Sequence, residues 1–413
     1  MKNMIKMSLV AAVAVAGLSS NVAAQPLTEA IKDVDISGSI VYRYNDYGQD
    51  ENSVKSENSN DYKIAASLKS KVNDYVTATV RVVTGTGALN DSNAGRTSLD
   101  NTTASDANPD LQVNQANFTV KTDVATVIAG KQGLTTPWTT AIDSDGTEQT
   151  GTGVLALIPA GPVTVAAAYF NQTNLSNATS KMGVDLTTTA GYGAGYDEDT
   201  VQDVVDDAMN TANVATVGVL ANVGPVSLNA WYLDLKSVFE TYTIGAKTTI
   251  EGITAELKYT ELELEDTLTS DAIGHGGDKD NSAIIAKVST KVGPVGLGLN
   301  YGKTDKDGGL TALNSTASTT LLGWTTTMHN KADADMWMLN ANMDVLPTLN
   351  VALNYNTVDY ANDSEETEIF TQITHKMSKN FSTYVRLGQY DAEVDNEDTS
   401  DSFRGRLQVE YKF

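Results

Sequence analysis

The stretch that most constrains this chain is its last eleven residues, Phe403 to Phe413. Read as an extended strand, Phe403, Gly405, Leu407, Val409, Tyr411 and Phe413 fall on one face, and Arg404, Arg406, Gln408, Glu410 and Lys412 on the other. Successive side chains of a strand point to opposite sides, so one face is apolar and the other is charged or amide-bearing throughout. Such a polar face makes a poor lining for a dry core. It suits a water-filled interior, with the apolar face turned to hydrocarbon, which is what a stave of a transmembrane β-barrel requires.

The other end of the chain bears on compartment. Lys2 and Lys6 precede the apolar run Met7 to Leu18, and Val22, Ala23 and Ala24 offer small residues for cleavage. Residues 1–24 therefore read as a secretory signal peptide and residues 25–413 as a single barrel domain. Beyond residue 24 no run of about 18 apolar residues could form a spanning helix. The chain has no cysteine, which excludes disulfides, thiolate metal sites and a thiol nucleophile. Lys and Arg number 28 against 52 Asp and Glu, a net charge of −24. That balance argues against nucleic acid as a partner, because phosphate contacts need clustered Lys and Arg.

From Val34 onward the same alternation recurs in eighteen segments, from Val34–Tyr44 to Asp401–Phe413, including Tyr62–Val72, Gly151–Ile158 and Glu368–Met377. An even number is needed for a closed antiparallel barrel with both ends on one side, and a barrel of this size leaves an aqueous channel. The connections are short and long by turns. Gly161-Pro162, Gly224-Pro225 and Gly293-Pro294, with Glu251-Gly252 and Leu346-Pro347 as variants, mark tight turns. Between them lie polar stretches such as Gly85 to Pro109, Gly133 to Thr150, Asn171 to Asn213, Glu265 to Asn281, Asp305 to Asp333, Asn362 to Glu366 and Glu393 to Ser400. Antiparallel staves visit the two ends in turn, so short periplasmic turns gather at one end and long extracellular loops at the other. Tyr169, Tyr232, Tyr259 and Tyr301 each stand seven residues past a turn, and Tyr355 eight past Pro347. Seven residues climb about 16 Å along a strand tilted near 45°, so these tyrosines are expected at one height as an aromatic girdle.

Three stretches carry a family resemblance: Pro26 to Gly38 (PLTEAIKDVDISG), Val127 to Gln132 (VIAGKQ) followed by Trp138, and Gly151 to Val154 (GTGV). They resemble the major outer-membrane porins of Campylobacter and its relatives, and the closing strand with Tyr411 and a terminal Phe413 is similar to those of bacterial outer-membrane barrels generally. The likeness covers about a third of the chain by sequence alone, and the inserts Asn171 to Asn213 and Asp305 to Asp333 fall outside it. It implies an outer-membrane, homotrimeric, 18-stranded porin for ions and small hydrophilic solutes, seated among outer-membrane lipid and lipopolysaccharide. It also implies that calcium can bind near the pore.

A passive channel needs a constriction and a field. By analogy of fold, the loop Gly133 to Thr150 is the one expected to turn inward, and it holds Asp143, Asp145 and Glu148. These acids are expected to face wall bases Arg43, Arg81 and Arg386 across the lumen, creating a transverse field. Asp143 and Asp145 also have the spacing of oxygen ligands for Ca²⁺, without the distant Glu of an EF-hand. Loop acids such as Asp197, Glu198, Asp199, Asp203, Asp206 and Asp207, and the run from Asp391 to Asp401, predict a weak cation preference. Helical spacing of Val201, Val204, Val205 and Ala208 allows a short helix over Asp197 to Asn210. Two other readings stay open: a substrate-specific channel, and a barrel whose loops act as an adhesin. An enzyme is not expected, since His275, His329 and His375 are the only histidines and none is paired in sequence with a nucleophile.

Overall fold

A computed structural model describes residues 34–48, 57–85, 97–98, 111–175, 212–265, 280–306, 308–394 and 397–413. The expected signal peptide, the acidic run Asp197 to Asp207 with its candidate helix, His275, Asp395 and most of the loops 85–109, 171–213 and 265–281 lie outside these residues. The strands are β1 (Val34–Tyr47), β2 (Glu57–Lys71), β3 (Val76–Thr84), β4 (Thr97–Ser98), β5 (Leu111–Lys121), β6 (Thr126–Gly133), β7 (Thr150–Ala160), β8 (Val163–Thr173), β9 (Val214–Val223) and β10 (Val226–Leu235). They continue with β11 (Phe239–Ile250), β12 (Ile253–Leu264), β13 (Asp280–Val292), β14 (Val295–Thr304), β15 (Asp335–Leu346), β16 (Leu349–Tyr360), β17 (Ser364–Lys376), β18 (Phe381–Val394) and β19 (Glu397–Lys412). Strand β4 is a two-residue rung on Asp61 and Tyr62 of β2. The other eighteen are the staves of one closed antiparallel barrel.

Every stave pairs with its chain neighbours, and β19 pairs with β1 from Ser39↔Lys412 to Tyr47↔Arg404. The seam is finished by the terminal residue: Gly38 N–H donates to the Phe413 carbonyl at 2.9 Å and Phe413 N–H donates to the Gly38 carbonyl at 3.1 Å. Gly38 is needed there for space, because a Cβ would lie 2.3 Å from the Ala65 carbonyl oxygen and 2.6 Å from the Phe413 ring.

Turn chemistry fixes one end. Gly161, Gly224 and Gly293 have φ of 64°, 58° and 59° and are each followed by Pro, whose ring holds φ negative. A positive then negative pair in a two-residue loop is the sign pattern of a type II′ turn, whose twist matches that of paired strands. Glu251 and Gly252, at 50° and 82°, give the type I′ pattern instead. The partners across these turns are Ala160↔Val163, Val223↔Val226, Val292↔Val295 and Ile250↔Ile253.

The hydrophobic arrangement is inverted relative to a soluble sandwich. Ile244, Leu257, Val288, Leu299, Leu339, Leu353, Ile369 and Leu387 point outward and are 39–52% exposed, together forming a belt that only lipid or another apolar surface satisfies. At the loop end the staves run past this belt. Strand β17 begins at Ser364 where the pattern suggested Glu368, β18 runs to Val394, and β19 starts at Glu397. Both faces are wet at that height, so alternation disappears from the sequence although the ladder continues, with Asp391↔Asp401 and Thr357↔Thr367 in register.

Candidate functional site

The chain from Leu134 to Gln149 leaves the top of β6 and folds into the barrel. Its first half is held by apolar packing: Trp138 is fully buried in a cluster with Leu134, Phe170, Leu233, Leu262 and Leu313. Its second half is held by charge. Glu148, fully buried, accepts from Lys63 Nζ at 2.6 Å, from Arg81 Nη2 at 2.6 Å and Nε at 2.9 Å, and from Asn114. Asp145 pairs with Arg43 Nη1 at 3.2 Å, and the same guanidinium donates to the Ser144 carbonyl. Arg43, Lys63 and Arg81 come from three neighbouring staves, β1, β2 and β3, whose inward faces are brought together by the register Val41↔Lys63 and Ser67↔Arg81.

The expected acids and bases do meet, in a different manner from the expectation. Contact replaces the transverse field across open water: Asp145 and Glu148 are moored directly on Arg43 and Arg81, because buried carboxylates need partners. Burial alone would raise the Glu148 pKa, yet Arg81 and Lys63 outweigh it and hold the carboxyl below the ordinary range. Arg386 stands elsewhere. It donates twice to Gln372 Oε1, at 3.0 and 2.7 Å, and its guanidinium lies over Trp324 and Phe370, 5.0 and 4.9 Å from the ring centres.

Asp143 shapes the loop rather than facing the wall. Its Oδ1 accepts the backbone N–H groups of Asp145 and Thr147, both at 2.9 Å, and Asn314 donates to Oδ2 at 3.4 Å. Burial, then the neighbouring Asp145, pushes its carboxyl up. Calcium takes six to eight oxygens, whereas here Asp143 Oδ1 is taken up by backbone and Asp145 is paired with Arg43. No group of three metal-ligating side chains stands together among the described residues. As they stand, Asp143 and Asp145 do not fit a resident calcium ion.

A second inward loop, 308–334, was not foreseen from the sequence. Leu313 N–H donates to the Trp138 carbonyl at 2.7 Å, Gln149 Nε2 donates to the Leu313 carbonyl at 2.9 Å, and Ser318 N–H donates to the Pro137 carbonyl at 3.1 Å. Lys258 of β12 donates to the Ser318 carbonyl on one side. On the other, Glu368 of β17 accepts the N–H groups of Trp324, Thr325 and Thr326 at 2.6, 2.9 and 3.4 Å. The two loops thus form one shelf inside the barrel. A cavity of about 540 Å³ remains between Ile142–Gly146 and the wall from β19 to β3, lined by Ser39, Arg43, Lys63, Arg81, Gln408 and Lys412 among others. The legible signal for this second loop was apolar: Leu313, Leu321 and Trp324 would be out of place in a loop lying in water.

Outside, Tyr169, Tyr232, Tyr259, Tyr301 and Tyr355 all lie on the outward face, and Tyr42, Tyr242 and Trp337 stand with them. Their hydroxyls turn toward the loop end: Tyr242 and Tyr259 donate to Glu261 Oε2 at 2.6 and 2.8 Å, and Tyr301 donates to Asp335. Rings level with lipid and hydroxyls level with polar groups are the geometry of a membrane interface. Of the histidines, His329 is buried in the second loop and His375 stands on β17 opposite Leu349 and Thr383.

Residues 1–413 match the family described as Campylobacter major outer membrane protein. No curated protein sequence matches the chain. Among solved structures, Pseudomonas aeruginosa OpdL is similar with a TM-score of 0.69 at 16% identity, covering 92% of this chain and 99% of that one. Acinetobacter baumannii OccAB3 is similar with a TM-score of 0.68 at 14% identity, covering 92% and 99%. P. aeruginosa OccK2 (OpdF), solved in complex with glucuronate, has a TM-score of 0.68 at 14% identity, covering 92% and 98%.

Proposed function

We propose that this chain, which belongs to the Campylobacter major outer membrane protein family, passes ions and small hydrophilic solutes by passive diffusion along the inward face of β19, β1, β2 and β3. The observation that carries this reading is the cavity of about 540 Å³ beside an inward loop moored to basic wall residues, in a barrel whose outer belt is apolar. A channel of this kind needs no catalytic group. The expected periplasmic face is the end with the Gly-Pro turns, and the expected extracellular face is the end with the long loops. Delivery by a signal peptide, contact with lipopolysaccharide and assembly as a homotrimer are parts of the same proposal, the last supported by family resemblance.

The weak cation preference rests on the net charge of −24 and on acids of the exterior loops, which act at the mouth by raising local cation concentration. Purified protein in a planar bilayer should show stepwise conductance, with reversal potentials in a potassium chloride gradient that favour potassium. A flat current would overturn the channel reading, and a preference for chloride would overturn the selectivity. A solute-selective channel is the second reading. It is favoured by the two-loop shelf, which narrows the lumen from both sides, and saturable conductance would reveal it.

A further inference from the structure

We propose that Arg386, Arg404 and Arg406, gathered around Trp324, form a subsite for the oxyanion of a passing solute, a carboxylate or a phosphate. Arg386 and Arg406 are register partners across β18 and β19, and Arg404 is one inward position further along β19. All three differ from Arg43, Lys63 and Arg81 in one respect: no carboxylate pairs with them among the described residues. The three acids that act on them are already engaged, Glu368 by backbone N–H groups of the second loop, Glu366 by Lys331 and Asp145, which lies toward Arg406, by Arg43.

The guanidinium groups are held by neutral partners. Arg386 uses Nε and Nη2 on Gln372, Arg406 uses Nε on Asn45 at 2.6 Å and Nη2 on the Tyr47 hydroxyl at 3.1 Å, and Arg404 uses Nε on Ser402 and Nη1 on Thr325. Among the described residues each therefore keeps one terminal nitrogen, Nη1 of Arg386, Nη1 of Arg406 and Nη2 of Arg404, without an acceptor. Aromatic faces fix the planes: Trp324 lies 5.0 Å from Arg386 and 5.5 Å from Arg406, and Tyr390 lies 3.9 Å from Arg404. Rings position a guanidinium without neutralising it. The buried indole Nε1 of Trp324 is also left without an acceptor. Three like charges on two adjacent strands repel one another until a counter-anion arrives, and an oxyanion that presents two oxygens side by side, as carboxylate and phosphate both do, is the group that Arg forks match.

This inference rests on the channel reading, and the experiment separates the two. Single-channel current through the wild-type protein is recorded while citrate, inorganic phosphate or glucose is added at equal concentration. Citrate or phosphate should interrupt the current at concentrations where glucose does not. Block by citrate alone assigns a carboxylate, block by phosphate alone assigns a phosphate, and block by both assigns the shared oxyanion. Arg386→Gln and Arg406→Gln, checked for folding by heat-modifiable gel mobility, should each raise the half-blocking concentration about tenfold. Arg386→Lys, which keeps the charge and loses the fork, should fall between. A channel that conducts but is blocked equally by glucose, or whose anion block survives both Gln variants, overturns the subsite. Absence of any current overturns the channel reading itself.

Discussion

Among single residues, Glu148 bears the greatest responsibility for the shape of the lumen. It receives Lys63, Arg81 and Asn114 in a fully buried setting, and removing one side of such a cluster leaves buried cations uncompensated at a cost of about 3–5 kcal/mol. Glu148→Gln should therefore loosen the first loop, seen as higher mean conductance and greater current noise; a trace identical to wild type would refute the mooring. The pH dependence follows from the signs. Because the Glu148 pKa is depressed in the fold, its stabilisation is present above the ordinary Glu pKa of about 4.3 and is lost as the pH falls through the lower folded value. Asp143 shifts upward through burial and the neighbouring Asp145, so its protonation on acidification removes the cost of a second buried negative charge in the loop. Current should stay quiet through mild acid and become noisy only once the pH has fallen below the ordinary Glu range. Chelators should leave the melting temperature unchanged, since Asp143 Oδ1 is turned onto backbone N–H groups and Asp145 Oδ1 onto Arg43; a fall on adding EGTA would show otherwise.

At the level of strands and turns, the fold was largely written in period-two alternation, and the reasons for the shortfalls are physical. Each stave meets lipid on one side and water on the other, which is why Val34–Tyr44 through Asp401–Phe413 could be traced one after another. Alternation lapses where both faces are wet, so the tops of β17, β18 and β19 resembled loops. The site was half legible: Arg43, Arg81, Asp145 and Glu148 could be named from the inward face and the loop position, whereas Lys63 was seen only as an inward polar residue. The inward turn of the second loop went unread although Leu313, Leu321 and Trp324 signalled it, and its mooring by backbone N–H groups on Glu368 is a contact that no side-chain pattern announces. Gly38 offers a test at this scale. Gly38→Val would drive side-chain atoms into the Ala65 carbonyl and the Phe413 ring, so the unboiled protein should lose its fast-migrating, heat-modifiable band on a gel. Retention of that band would mean that the seam tolerates the clash.

For the whole molecule, charge and grease are sorted radially. Outward leucines, isoleucines and valines form the belt, carboxylates such as Glu261 and Asp335 sit above it beside the tyrosines, and Arg43, Lys63, Arg81, Arg386, Arg404 and Arg406 face inward. The net charge of −24 thus describes no single surface. A belt this apolar predicts that detergent removal precipitates the folded protein; a monodisperse peak in plain buffer would contradict the membrane assignment. The pairing of β19 with β1 has a consequence for biogenesis. Hairpins along the chain can zip as their neighbours appear, but the rung between Gly38 and Phe413 joins the first stave to the last and carries the full entropy of ring closure. Pairing at Phe413 is therefore a condition for completing the first strand, and loss of that aromatic should stall assembly at an open, curled sheet with two raw edges.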